Sequence, residues 1–456
     1  MASTNSVKIQ EVTKVTPHPD STTEFSLPLT FFDIFWFKFH PVERLFFYQI
    51  THLTPQFFNS VILPQLKQSL SITLLHYLPL AGNLVWPQET PKPVIYYFRN
   101  DGVLLTVAES NADFNYLSGH GTREVVEFHS LIPDLSISDD KAAVIAIQIT
   151  LFPNEGFSIG TSAHHAILDG RSSTMFMKSW AYVCKQDKQD PSLSPELTPL
   201  IDRSVIQYPA GIDMLFLNSW LDSNSRSLKL LPREGVDSNL VRATFELSRE
   251  DIKKLRVEVQ EVKQSEQLHL STFVLTYAYV IVCITRAKGE EEGNNPNSEV
   301  IFGFTADYRT RLEPPIPVNY FGNCVGPHGG IVEANDIIKG DGVSVVAEKL
   351  SESMKELKKG SVLEETGKNL AYMIPFMKQG GKGIGIAGSP GFEIYGSDFG
   401  WGRPKKVEVV SIDKNGSICL AESRDGSGGV EVGVVLEKKE MEVFASLFVD
   451  GLRHFK

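Results

Sequence analysis

Two adjacent histidines, His164 and His165, precede Ala166-Ile167-Leu168-Asp169-Gly170 in the middle of the chain. A neutral imidazole, with an ordinary pKa of about 6.5, accepts a proton readily at cytosolic pH, so His165 has the chemistry of a general base. Two other readings stand beside it. The histidines can be satisfied polar residues at a strand end, or His165 and Asp169, four apart, can be two metal ligands on one helical face. The metal reading lacks a third ligand nearby and does not match HExxH, so no metal is expected. Gly156-Phe157-Ser158-Ile159-Gly160 matches the GxSxG elbow of serine hydrolases, which needs a sharp strand-to-helix turn at the serine. Ser158 falls inside an alternating strand instead and is expected to be structural. An esterase using Ser158 with His165 and Asp169 is one competing reading, and a non-catalytic binding protein is the second. Gly383-Ile384-Gly385-Ile386-Ala387-Gly388 matches GxGxxG, with Glu408 beyond it, but Ser389-Pro390-Gly391 follows where a dinucleotide site must open a helix. Cys184, Cys283, Cys324 and Cys419 lie far apart without a CxxC pair, so neither zinc nor a disulfide framework is expected.

The elements that must position these residues are legible from periodicity. Ala143 to Leu151 and Phe157 to Ala163 read as strands joined by Pro153-Asn154-Glu155-Gly156, a hairpin that releases the two histidines at its exit. Gly170 to Cys184 then places Phe176, Met177, Trp180, Val183 and Cys184 at helical spacing. Leu63 to Leu78 is a second amphipathic helix, with Pro64 in its first turn and Pro79 just past its end. Further on, Ser248 to Val262 and Ser271 to Arg286 read as helices and Glu299 to Ala306 as a buried strand. Ser417 to Glu422 and Val430 to Leu436 form a hairpin before a last helix, Lys438 to Leu452. Between Lys185 and Leu230 the pattern fades among Pro191, Pro195, Pro199 and Pro209, as in a crossover between domains.

A length of 456 residues exceeds the ~250 to 300 at which one core stops growing, so two domains are expected. The boundaries are 1–200, a crossover 201–230, and 231–456. The net charge of −11 argues against a nucleic-acid partner. The N-terminus has no apolar signal core, and no run of ~18 apolar residues appears, so a cytoplasmic protein without membrane insertion is expected.

Asp398-Phe399-Gly400-Trp401-Gly402 sets an aromatic pair between glycines, and Tyr320-Phe321-Gly322-Asn323-Cys324 is another glycine-containing turn with aromatic neighbours. With the histidine segment, these resemble the plant BAHD acyltransferases, whose signatures are HxxxDG in mid-chain and DFGWG near the C-terminus. The likeness runs from Leu27-Pro28-Leu29-Thr30-Phe31-Phe32-Asp33 to the final helix. Tyr320 to Cys324 looks like the YFGNC element of the flavonoid and anthocyanin malonyltransferase branch.

The resemblance implies an α/β fold of two similar mixed-sheet domains with a solvent channel between them and HxxxD at their interface. It implies a malonyl group moved from malonyl-CoA to a sugar hydroxyl, the glucose 6-hydroxyl, of a flavonoid or isoflavone glucoside. His165 is the base, no acyl-enzyme forms and no cofactor is permanently bound. A hydroxycinnamoyl-CoA donor acting on anthocyanins is the alternative within the family. The implied partners are an acyl-CoA and a phenolic glucoside, on a monomeric enzyme. Carried over residue by residue, Asp169 pairs with Arg309 as a structural anchor, Trp401 supports the site, and Asp398 is a second catalytic candidate. Arg171 and Asn323 are candidates for the malonyl carboxylate, Lys263 and Ser271 for coenzyme A. Thr30, Phe32, Trp36, Tyr320 and Phe321 are candidates for the acceptor surface.

Overall fold

A computed structural model of the chain describes residues 7–17, 24–186, 192–221, 226–232, 235, 237–263, 267–289, 298–338, 340–357, 367, 373–379, 381, 383–414 and 416–454. The 201–230 crossover is therefore described except for residues 222–225.

The strands Ile145–Phe152 and Gly156–Ala163 are buried at every residue, as an apolar hairpin at the centre of a sheet must be. They occupy the middle of a six-stranded sheet ordered Val7–Val15, Val103–Ser110, Ile145–Phe152, Gly156–Ala163, Val42–Gln49, Lys406–Val409. The helix Gly170–Gln186 leaves the hairpin and packs on Leu63–His76, where Trp180 Nε1 donates to the Leu66 carbonyl at 3.2 Å.

The second half builds a five-stranded sheet ordered Ile386–Ala387, Ile418–Glu422, Val430–Glu437, Leu240–Leu247, Arg123–Glu124, and a two-stranded sheet of Glu299–Asp307 with Val325–Glu333. The helix Thr272–Gly289 is apolar nearly all round and is covered by Gly342–Glu356 and Lys438–His454. A four-stranded sheet, Phe25–Pro28, Val94–Tyr97, Asn83–Val85 and Lys141–Ala143, completes the first half. The architecture is the expected two-domain α/β fold.

Two features depart from the sequence reading. The sheets exchange strands: Lys406–Val409, from the second half, lies on the edge of the first sheet, and Arg123–Glu124, from the first half, lies on the edge of the second. The strand Lys406–Val409 reads as alternating charged and apolar, yet all four residues are buried, because Glu408 meets Arg123 at 2.7 Å and Arg242 at 3.2 Å while Lys406 meets Glu431 at 2.6 Å. Second, the crossover is not irregular throughout. Ile212–Trp220 is a helix that buries Phe216, Leu217 and Trp220 and packs on the short helix Phe31–Phe35. Phe31 meets Tyr208 at 5.0 Å and Phe216 at 6.2 Å between ring centroids.

Candidate active site

The hairpin delivers His164 and His165 into a short turn before Gly170 opens the long helix. Gly170 has no room for a side chain, since a Cβ there would lie 2.6 Å from the Phe392 ring and 3.3 Å from Arg44 Nη2. The histidines separate by environment. Ala166 N donates to His164 Nδ1 at 3.2 Å, which puts the ring proton on Nε2, and burial pushes this imidazole down to about 3. His164 is thus a neutral, fixed core residue. The ring of His165 stacks on Trp36 at 4.1 Å with only 6° between planes, and Phe39 meets it edge-on at 5.9 Å. Its Nδ1 is buried and finds no partner beyond its own backbone. Burial pushes His165 down to about 4, so at neutral pH it is an uncharged proton acceptor in an apolar seat.

Asp169 faces away from this chemistry. Its Oδ1 accepts from Ser172 N at 2.9 Å, which caps the long helix, and its Oδ2 meets Arg309 Nη2 at 2.9 Å and Cys324 N at 3.1 Å. Burial would raise this carboxyl, but the Arg309 guanidinium and these donors outweigh it and hold it below the usual carboxylate range. Arg309 also donates to the carbonyls of Tyr320 and Gly322, at 3.1 and 3.0 Å, and pairs with Asp307 at 3.1 Å. Asp169 is therefore an anchor across the two halves, committed to Arg309 in the place where a metal reading would need a free ligand.

Nucleophiles are poorly placed. Ser158 is fully buried in mid-strand, and the next helix begins only at Gly170. Burial pushes the Cys324 thiol up, which keeps it protonated. The GxGxxG segment forms the two-residue strand Ile386–Ala387 and leads into a 3-10 turn at Pro390–Phe392. It opens no α-helix toward a phosphate.

Several expected binding residues have other partners. Asn323 uses Nδ2 toward Asp33 Oδ1, at 3.1 Å, and the His165 carbonyl, at 3.0 Å. Both amide hydrogens are then engaged, and the oxygen that remains is an acceptor, which corrects the expectation that Asn323 receives a malonyl carboxylate. Thr30 caps its short helix through Asp33, and Phe32, Tyr320 and Phe321 are buried core: Phe32 against Tyr308, Phe321 against Tyr77, Tyr320 hydroxyl to Arg203 at 3.0 Å. Of the five acceptor candidates, Trp36 alone touches His165. Lys263 pairs with Glu348 at 2.5 Å, and the Ser271 hydroxyl accepts from Val274 N at the start of the next helix. Arg171, partly exposed, pairs with Asp307 at 2.9 Å.

Asp398, expected as a second catalytic group, pairs with Lys185 at 2.6 Å and accepts from Gly400 N and Gly402 N, both at 2.9 Å. Lys185 lies roughly 22 Å beyond Gly170 along the helix axis, at about 1.5 Å per residue. The contacts of Asp398 are those of a loop anchor at the far end of the helix from His165. Gly400 and Gly402 both adopt positive φ, at 107° and 100°. Phe399 packs edge-on against Tyr48 and Trp180, and Trp401 against Phe157.

Sequence reasoning missed Asp33, Ser172 and Arg203. Thr30-Phe31-Phe32-Asp33 carries the capping-box spacing, which was a usable signal for Asp33. Arg203 has no local signal: its guanidinium is buried beside Asp33 and occupies the space that any Cβ on Gly322 would need. A cleft of about 830 Å³ has Thr30 and Arg203 in its wall, with Lys92, Tyr208 and Leu27.

The site thus sets an uncharged imidazole against Trp36, on a loop whose helix-capping aspartate is paired with an arginine from the other half. The model of the transferase family matches residues 5–450. The chain is 47% identical over 459 residues to the malonyl-CoA:anthocyanidin 5-O-glucoside-6''-O-malonyltransferase of Arabidopsis thaliana, covering 98% of this chain and 99% of that one. It is 43% identical over 477 residues to phenolic glucoside malonyltransferase 1 of the same plant, covering 99% and 98%. Vinorine synthase has the same fold, with a TM-score of 0.70 at 20% identity over 98% of each chain. The chain belongs to this transferase family, the BAHD acyltransferases, and is a CoA-dependent acyltransferase.

Proposed function

We propose that this chain moves a malonyl group from malonyl-CoA to a sugar hydroxyl, the glucose 6-hydroxyl, of a flavonoid, isoflavone or related phenolic glucoside. The observation that carries the reading is the uncharged His165 imidazole seated on Trp36, on a loop anchored by Asp169 to Arg309. The activities of the two Arabidopsis relatives, a malonyl-CoA:anthocyanidin glucoside malonyltransferase and a phenolic glucoside malonyltransferase, support the donor and acceptor classes.

In the proposed step both substrates are bound together. His165 takes the proton of the sugar hydroxyl as its oxygen attacks the thioester carbonyl. A tetrahedral oxyanion forms and collapses, the carbon–sulfur bond breaks, and coenzyme A leaves as thiolate, with the imidazolium proton as its counterpart. A thiolate is a stable leaving group near neutral pH, so no further strong acid is required. Arg171 is the cation proposed for the malonyl carboxylate, which would exchange with Asp307, and Lys263 and Ser271 are proposed to face coenzyme A. Asp398 and Trp401 are assigned to holding the long helix in place. The enzyme is read as a cytoplasmic monomer; among the described residues no helix is long and apolar enough to cross a membrane.

The test is a panel of malonyl-, acetyl- and coumaroyl-CoA against several phenolic glucosides, with products identified by mass, run on the wild type and His165→Ala. The expected product is the malonylated glucoside. The variant should stay folded and lose at least ~10²- to 10⁴-fold in turnover, the usual worth of a general base. Release of free malonate regardless of glucoside, or near-normal turnover by the variant, would overturn the reading.

A further inference from the structure

The segment Gly322 to Cys324 of the second half touches the histidine loop and the helix that follows it at three points. Cys324 N donates to Asp169 Oδ2 at 3.1 Å. Gly322 N donates to Ser172 Oγ at 3.1 Å, and that hydroxyl donates back to the Gly322 carbonyl at 3.0 Å. Between them, Asn323 Nδ2 donates to the main-chain carbonyl of His165 at 3.0 Å. The turn makes its own bond from Ile167 N to the His164 carbonyl, at 3.1 Å, which leaves the His165 carbonyl to Asn323.

The orientation of that carboxamide is set from elsewhere. Asp33 Oδ1 accepts from both Asn323 Nδ2, at 3.1 Å, and Asn323 N, at 3.2 Å. The other oxygen, Oδ2, accepts from Thr30 N and Thr30 Oγ1, each at 2.9 Å, and lies 3.5 Å from Arg203 Nε. Asp33 and Asn323 have no exposed surface. If the amide were flipped, its oxygen would face a carboxylate and a carbonyl in a dry site, three acceptors with no donor among them.

We infer that Asn323 is a positioning residue for the general base: oriented by Asp33, it pins the His165 main-chain carbonyl across the interface of the two halves and so fixes where the imidazole projects. This rests on the reading of His165 as the base. It also gives the Asp33 carboxylate a function beyond helix capping, since only an acceptor at that place selects the amide orientation that holds His165. Arg203 supplies the balancing charge, and the other charged groups around the histidine pair are Asp169, Arg44 and Lys38.

The test compares Asn323→Ala and the isosteric Asn323→Asp with the wild type and His165→Ala, measuring kcat, KM for malonyl-CoA, the pH profile of kcat/KM and the thermal midpoint. Displacing a catalytic group by about 1 Å can cost ~10²-fold, so Asn323→Ala is expected to lose ~10- to 100-fold in kcat while KM for malonyl-CoA stays within about twofold. Its acid limb should move up toward about 6.5 as the ring leaves its seat on Trp36. Asn323→Asp should be slower still, because it sets a second carboxylate beside Asp33 and the His165 carbonyl. If Asn323→Ala does not fold, Asn323→Ser is read by the same criteria. An unchanged kcat and acid limb, a loss that only tracks the thermal midpoint, a raised KM with kcat kept, or a fully active Asn323→Asp would each overturn the proposal. Full turnover in His165→Ala would overturn the base itself, whereas silent Asn323 variants beside an inactive His165→Ala would overturn the positioning role alone.

Discussion

At the scale of single residues, the pairs that look equivalent in sequence are divided by what surrounds them. His164 and His165 are adjacent, yet one has its ring nitrogen held by Ala166 N and the other keeps an apolar seat with Trp36 beneath it. Since burial pushes His165 down to about 4, its imidazole is already deprotonated well below neutrality. The pH profile of kcat/KM should therefore stay flat from pH 7 down to about 5 and fall only toward about 4; a limb at the ordinary histidine value of about 6.5 would contradict the buried seat. Folding stability follows the same sign. Both folded-state values lie below the unfolded one, so this stability is complete above about 6.5 and is lost as pH falls toward the folded values. Arg171 is the other residue whose role turns on its neighbour. A charge-assisted bond contributes about 1.5 to 3 kcal/mol, so Arg171→Ala should cut kcat/KM for malonyl-CoA by ~10-fold or more relative to acetyl-CoA. Equal losses on both donors would leave Arg171 as the partner of Asp307 only.

At the scale of elements, the long helix Gly170–Gln186 is held at both ends: Asp169 caps its start, and Asp398 grips Lys185 near its finish. Asp398→Ala is therefore expected to loosen the Phe399 and Trp401 loop, with a lower thermal midpoint and a turnover loss smaller than that of His165→Ala. A loss equal to that of His165→Ala with unchanged stability would return Asp398 to the chemistry. Elements with a strong apolar period were legible in the sequence within a few residues; the helix expected over Ser248 to Val262 is Arg249–Val262, and the strand over Glu299 to Ala306 is Glu299–Asp307. The helix Ile212–Trp220 was not, because Pro209 and the polar residues around it resemble a linker until Phe31 is present to cover Phe216. The anchor from Asp169 to Arg309 was readable only through the family resemblance, and Asp33 with Arg203 not at all. Their partners are far away in the chain, and a buried ion has the same letter as a solvated one. Arg123–Glu124 and Lys406–Val409 escaped for a related reason: a two-residue strand has no period to detect, and the charged members of the short Lys406–Val409 alternation suggest a surface face, although all four residues are buried.

At the scale of the whole molecule, those short charged strands join the two halves. Glu408 sits between Arg123 and Arg242, which belong to the other sheet. Burial would raise its carboxyl, but Arg123, Arg242 and Lys406 outweigh that and hold it at about 2. Because the folded value is depressed, its contribution is complete above the unfolded value of about 4.3 and is lost as pH falls through about 2. Removing the charge with Glu408→Gln strands two guanidinium groups away from water and should cost about 3 to 5 kcal/mol, visible as a lower thermal midpoint; an unchanged midpoint would mean that the exchanged strands are held by their backbone bonds alone. The exchange has a further consequence for how the chain is made. Synthesis runs from the N-terminus at ~5 to 20 residues per second, so the strand Val42–Gln49 leaves the ribosome long before its neighbour Lys406–Val409. Throughout the synthesis of the second half, the first sheet carries an open edge, the kind of surface that recruits strands from other nascent chains. Timing therefore enters beside contacts: a chain cut short before residue 406 would lack the strand that covers the Val42–Gln49 edge, the edge beside the Gly156–Ala163 strand that leads to the histidines.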